Sequence, residues 1–299
     1  GAGTRVLTQE IPATKSAGVS LWVPVGSRDE GPRTAGSTHF LEHLLFKGTN
    51  KRSALDIAVA FDSVGGESNA ETAREHTAYW ARVRDADLDM AIETLTDMVT
   101  DSRLDEEDFS LERGVILDEL AMGEDSPTDT VHDTFQLAVH GDRPIGRPVG
   151  GTAQAIREVE RADVWEHYQA HYGPSSLIVA AAGNVDHDSV CERVQAALEG
   201  SPWDAGSAAS PRPRRSTTVT PIADHDKDIT RRRDVTQAHV IIGCEGLSAT
   251  DPAGPTMSVL LSVLGGSMSS RLFQEVREKR GLAYTTYAFD VAYSDTGTF

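Results

Sequence analysis

The sequence has 299 residues, enough for two domains or one domain duplicated, and its 39% hydrophobic, 25% charged and 6% aromatic content excludes a disordered or fibrous chain. A formal net charge of -18 argues against nucleic-acid or phosphate binding and favours cationic partners such as basic peptides. No apolar run is long enough to span a membrane, and Cys191 and Cys244, without CxxC spacing, offer neither a disulfide framework nor a metal site.

In chain order, TKSAGVSLWVPVGSRDE predicts a strand closed by a Pro and a Gly. The stretch STHFLEHLLFKGT, Ser37 to Thr49, follows as a helix, and SALDIAVAFDSVGG as a second, with Ser53 as N-cap and the Gly65-Gly66 pair ending it. ESNAETAREHTAYWARVR alternates, with Thr72, Arg74, His76 and Trp80 on one side and Ala73, Thr77, Tyr79 and Val83 on the other. That pattern predicts one strand with two usable faces. Helical patterns continue at DADLDMAIETLTDMVT, DEEDFSLERGVILDELAMG, TDTVHDTFQLAVHG and near ADVWEHYQAHY. SSLIVAAAGNV then reads as a short strand and DSVCERVQAALEG as a helix.

Residues 1–200 thus read as one α+β unit, and Ser201–Thr218, rich in Pro, Ser, Ala and Arg without periodicity, as a linker. In 219–299 the order restarts with a strand at AHVIIGCEGL, a helix from about Asp251 and a closing strand-like segment. The echo predicts an α+β fold of duplicated two-layer units, each an antiparallel-rich sheet with helices packed on it, the second cut short at its C-terminus. The first residues lack a basic region followed by an apolar one, which predicts a cytoplasmic protein, or a mitochondrial-matrix one if a leader has been removed.

The chemistry concentrates in STHFLEHLLFKGT. Residues three and four apart share a helix face, so His39, Glu42 and His43 point the same way, while Phe40, Leu41, Leu44 and Leu45 cover the other sides. A buried helix carrying three polar groups needs partners for them, and a divalent metal supplies them: two imidazoles at i and i+4 can reach one Zn²⁺. Glu42 would then stand beside a water on the metal and accept its proton, the mechanics of the reversed HExxH motif, HxxEH. A third ligand is required. In SLERGVILDELAMGED a helical wheel places Glu112, Val115, Ile116 and Glu119 on one inward stripe, with Asp118 about 100° away, so Glu119 or Glu112 is the missing ligand.

HFLEHLLFKGT, followed after 75 intervening residues by Glu119 within ERGVILDEL, resembles the inverzincins of the pitrilysin and insulysin superfamily, and most of all their mitochondrial-processing-peptidase-like branch with its bacterial relatives. The resemblance implies one Zn²⁺ per chain held by His39, His43 and Glu119, with Glu42 activating water and Glu112 assisting by orienting His39 or His43 or by tuning the water. It implies further that Asn69 and Ala70, in GGESNAETAREHTAYWARV, lie on a strand that pairs with extended substrate. Arg277 and Tyr284, in SSRLFQEVREKRGLAY, would reach the zinc site, the arginine fixing a substrate carbonyl and the tyrosine stabilising the oxyanion.

The expected function is therefore zinc-dependent hydrolysis of peptide bonds in oligopeptides or unfolded, presequence-like segments, in a homodimer or paired subunits closing a chamber. No nucleic acid or membrane partner is expected. The rival reading is a non-catalytic scaffold or peptide-binding subunit. Gly-Gly pairs at 65, 150 and 265 lack the surroundings of a nucleotide loop, and the other eight histidines are read as structural.

Overall fold

Alternate residues of Ser16–Val23 are buried, namely Ala17, Val19, Leu21 and Val23, as expected of a strand with one face on a core. The computed structural model describes residues 3–203, 213, 215–218 and 227–299. In it that strand is β2, at the centre of a mixed sheet formed with β1 (Arg5–Glu10), β3 (Glu67–Thr72), β4 (Thr77–Arg84) and β5 (Ile178–Gly183). The order is β1-β5-β2-β4-β3. β1 runs parallel to β5, and every other neighbour is antiparallel.

The helices, in chain order, are α1 (Ser37–Leu44), α2 (Ala54–Asp62), α3 (Leu88–Asp101), α4 (Glu106–Asp125), α5 (Pro127–His140), α6 (Ala153–Glu158), α7 (Arg161–His171), α8 (His187–Glu199) and α9 (Gly254–Gly265). Ser53 caps α2 as expected, its hydroxyl accepting from the Asp56 N–H while Asp56 bonds back to the Ser53 N–H. Leu21, Tyr79 and Val179 from the sheet join Phe40, Leu41, Leu44 and Leu45 of the first helical segment and Ile92, Leu95 and Met98 of α3 in one apolar cluster. Arg113 of α4 stacks over the rings of Phe40 and Phe109 and donates to the carbonyls of Ile156, Arg157 and Val159, so α1, α4 and the end of α6 are clamped together.

Contacts divide the chain into two compact units, Gly1–Asp125 with Arg147–Pro213, and Ser126–Gly146 with Arg214–Phe299. The α5 segment, which the sequence pattern places in the first domain, packs with the second unit. Its Phe135 ring meets Phe289 edge-on, and its His140 ring meets Tyr293. In that unit, α9, a π-helical turn (Phe273–Glu278) and the short pair β6 (Val291–Ala292) and β7 (Gly297–Thr298) are formed. Most of the expected linker, Ser201–Thr218, lies outside the described residues.

Two sequence expectations are corrected. ESNAETAREHTAYWARVR is a hairpin rather than one strand: Ala70 pairs with Tyr79 and Thr72 with Thr77, and the Ala73 N–H donates to the His76 carbonyl across the turn. The turn switches parity, so even-numbered Ala70 and odd-numbered Tyr79 face the same core, which a single strand's alternation cannot express. AHVIIGCEGL forms no extended strand. A strand needs a neighbour for its N–H and C=O groups, and among the described residues this segment pairs only over Cys244–Gly246 with Gly297–Phe299, leaving Val240 and Ile242 exposed.

Candidate metal centre

Helix α1 forms around its apolar residues. Phe40, Leu41, Leu44 and the following Leu45 are fully buried, and His39, Glu42 and His43 are left half-buried on the remaining face. The imidazoles of His39 and His43 stand edge-on with centroids 4.9 Å apart. Across from them, on α4, Glu119 places Oε2 3.3 Å from His39 Nε2 and 3.4 Å from His43 Nε2. Ligand atoms of these three residues all lie within 4.8 Å of one another.

These separations test the donor set. Two ligands at zinc's bond lengths and near-tetrahedral angles stand about 3.4 Å apart, which is what the carboxylate shows toward both imidazoles. His₂Glu is also the donor set of catalytic zinc sites that keep a position open. The residues fit zinc.

Glu112 lies behind the imidazoles, and the structure shows which histidine it bonds. His43 Nδ1 lies 2.9 Å from Glu112 Oε2, so Nδ1 carries the proton and Nε2 is left free as a ligand. The other oxygen of Glu112 accepts from Lys47 Nζ at 2.7 Å. Burial alone would raise the Glu112 carboxyl, but the hydrogen bonds from Lys47 and His43 hold it below the ordinary value, so it stays ionised. Burial, followed by the neighbouring His43, lowers His39 and outweighs the pull of Glu42 and Glu119, which keeps the imidazole neutral as a ligand must be. Glu112→Gln is expected to weaken zinc binding about 10–100-fold, the usual cost of losing a group that orients a ligand. Competition with a chromogenic chelator measures it.

The inward stripe expected on α4 is only partly realised. Phe109, Glu112 and Ile116 are buried against α1, whereas Val115 is 40% exposed and the Glu119 side chain 48% exposed. Val115 lies 100° from Ile116 and so falls at the rim. Glu119, three residues past Ile116, stays over the histidines but has no apolar cover, which leaves the ligand face accessible. Glu42 makes no hydrogen bond or ion pair among the described residues, although its charge is felt at His39.

Asn69 and Ala70 sit on β3, the edge strand of the sheet, with Asn69 Oδ1 accepting from the Ala70 N–H at 2.9 Å. An edge strand presents unpaired backbone groups, the condition for strand addition. In the second unit, the Arg277 guanidinium lies 4.6 Å from the Phe273 ring and 5.0 Å from the Tyr284 ring, and Gly281 ends the segment at φ +60°. Arg277 and Tyr284 are thus brought to each other, with Tyr284 81% exposed.

Sequence reasoning missed two groups. Lys47 was legible as the residue one turn beyond His43, the natural cation for a carboxylate that His43 alone does not neutralise. Glu30 carried no local signal: it is 8% exposed, and its two oxygens accept the N–H groups of Gly36 and Thr38 at 2.7 Å each. Burial pushes its carboxyl up to about 7, against the hydrogen bonds from Thr38 and Gly36 that pull it down. Thr38 Oγ1 lies 3.2 Å from Nε2 of buried His167, which burial and His171 push down to about 4.

The native state therefore holds the Glu30 proton more tightly than the unfolded chain, so stability falls as pH rises from 4.5 to about 7. Glu30→Gln should remove that loss, about 3 kcal/mol. His167 acts in the opposite direction in an overlapping range, so urea unfolding of wild type and variant at each pH isolates Glu30 by difference.

The sequence matches the model of Insulinase (Peptidase family M16) over residues 5–153 and that of the Peptidase M16 inactive domain over 158–299. It is 50% identical over 298 residues to an uncharacterized zinc protease of Streptomyces coelicolor, covering 99% of this chain and 64% of that protein. It is 36% identical over 295 residues to one of Bacillus subtilis, covering 99% and 70%. The chain spans about two thirds of the length of these relatives. Among solved structures, a protease from Helicobacter pylori shares the fold with a TM-score of 0.83 at 23% identity, covering 100% of this chain and 71% of that one. A putative M16-like peptidase from Alicyclobacillus acidocaldarius gives 0.78 at 20%, covering 99% and 71%. Among the described residues no helix is long and apolar enough to cross a membrane. With His39, Glu42, His43, Glu112 and Glu119 all inside the first matched segment, the chain belongs to peptidase family M16, the insulinase family, whose metal is zinc.

Proposed function

We propose that the protein is a zinc metalloendopeptidase acting on oligopeptides or unfolded, presequence-like segments. The observation that carries this reading is the convergence of His39, His43 and Glu119 on the helix face of Glu42, whose carboxylate makes no hydrogen bond or ion pair among the described residues.

His39, His43 and Glu119 hold the metal. Zinc, when bound, supplies a Lewis acid that polarises the scissile carbonyl and acidifies the attacking water. The Glu42 carboxylate takes the proton of that water and returns it to the leaving amine. Glu112, itself neutralised by Lys47, keeps His43 in the ligating tautomer. Substrate adds as a strand along β3 at Asn69 and Ala70, where main-chain hydrogen bonds accept many sequences. Arg277 and Tyr284 fix the substrate carbonyl and the oxyanion. A homodimer or paired subunits would close the chamber in which long folded chains are excluded.

The match of residues 158–299 to a domain described as inactive favours a second reading, a non-catalytic scaffold or peptide-binding subunit. The intact motif lies in the other matched segment, which favours the enzyme. Metal analysis combined with a quenched-fluorescence peptide library separates the two. About one zinc per chain with chelator-sensitive cleavage supports the peptidase, and stoichiometric zinc with no cleavage of any peptide supports the scaffold.

A further inference from the structure

We propose that Glu30 is a positioning residue for the metal centre. Its buried carboxylate caps α1 from outside the helix and so holds the rotation at which His39, Glu42 and His43 face Glu119. The inference rests on the zinc reading above.

Helix α1 has only eight residues, little more than two turns, and its first N–H groups have no partner within the helix. The N-cap residue offers no side-chain acceptor, and of these groups the Ser37 N–H is met locally, by the Thr34 carbonyl at 3.0 Å. The N-cap is Gly36, at φ +90°, where a side chain is strained, and a Cβ there would come within 2.4 Å of Ile156 Cδ1. The acceptor therefore has to come from elsewhere in the chain. Glu30 supplies it, with one oxygen on the Gly36 N–H and the other on the Thr38 N–H, both at 2.7 Å.

The fixing is two-pronged because a bidentate carboxylate on two N–H groups resists rotation about the helix axis, which a single bond does not. Thr38, the residue before His39, is further held by its hydroxyl against His167 Nε2 at 3.2 Å. Beyond the helix, Asp97 accepts from Thr49 Oγ1 at 2.7 Å and from Arg52 at 2.8 Å, so the segment after α1 is fastened as well. Both ends of the ligand helix are thus tied to the body of the unit by carboxylates. The one at the N-terminal end lies within one residue of a ligand. Metal sites tolerate errors of only about 0.2 Å in ligand distance, so a small rotation of α1 registers at zinc.

The test compares wild type with Glu30→Ala, Glu30→Gln and Val190→Ala, the last a destabilising change in the core beneath α8 and away from the site. Zinc affinity is read by chelator competition, coordination by the visible spectrum of the Co²⁺-substituted protein, and folding by circular dichroism. Glu30→Ala should weaken zinc about tenfold or more, the lower end of what groups behind a ligand contribute. It should also alter the Co²⁺ bands and lower kcat with KM little changed. Glu30→Gln keeps the shape and relieves the buried charge, so it folds at pH 8. It should still weaken zinc and shift the spectrum, because its amide turns a donor toward a backbone N–H. Val190→Ala should bind zinc as wild type does. Wild-type zinc affinity and spectrum in a folded Glu30→Gln would overturn the proposal while leaving the peptidase reading standing. A wild-type protein that takes up no zinc would overturn both.

Discussion

Glu42→Gln is expected to keep its zinc and lose peptide hydrolysis by roughly 10³-fold, within the range that general acid–base catalysis contributes. The glutamine has the same shape, so α1 and its neighbours Phe40, Leu41, Leu44 and Leu45 keep their packing. A neutral amide cannot accept the proton of the attacking water or pass it to the leaving amine. Glu42 is also the one motif residue with no hydrogen bond or ion pair among the described residues, so its removal breaks nothing that holds the site together. Rates on a fluorogenic peptide, with zinc content measured on the same preparation, decide the matter. Normal digestion by Glu42→Gln would sink the mechanism.

His43→Ala and Glu119→Gln are expected to lose the metal, with zinc affinity falling by more than about 100-fold, since groups that merely orient ligands already account for 10–100-fold. The two substitutions differ in what they leave behind. His43→Ala strips a ligand and leaves Glu112, 3% exposed at its side chain, held by Lys47 alone. Some loss of stability should therefore accompany the loss of zinc. Glu119 is half exposed and its carboxylate contacts the two imidazoles, so Glu119→Gln should fold normally and fail only at metal binding. Retention of wild-type zinc affinity by Glu119→Gln would mean that another carboxylate completes the site.

How much of this was readable from the chain follows from the range of the interactions involved. The spacing of His39, Glu42 and His43 places them on one helix face by geometry that any α-helix shares, and the burial of the four apolar residues among them bears out that reading. The capping box at Ser53 and Asp56 is equally local. The stripe on α4 singled out two candidate carboxylates but could not rank them, because a helical wheel records direction and not depth. Depth depends on what covers the helix. Glu112 is roofed by α1 and Lys47, and Glu119 is open to solvent above the imidazoles.

The hairpin at Glu67–Arg84 shows the same limit in a strand. Alternation within each arm was visible, but the turn at residues 73–76 switches parity, and only the pairing of Ala70 with Tyr79 reveals it. Likewise the β-branched run at His239–Gly243 has the composition of a strand but finds no pairing neighbour among the described residues.

By itself, then, the sequence determined most of the helices, the central strand and the placing of His39, Glu42 and His43 on one helix face, because these depend on periods and spacings of a few residues. Only the tertiary structure decided that Glu112 bonds His43 rather than His39, that Lys47 pairs with it, and that Glu30 accepts from the Gly36 and Thr38 N–H groups at the start of α1. Those choices rest on hydrogen bonds between residues up to 69 positions apart. Distance along a chain carries no information about which buried oxygen meets which buried N–H until the core has been packed.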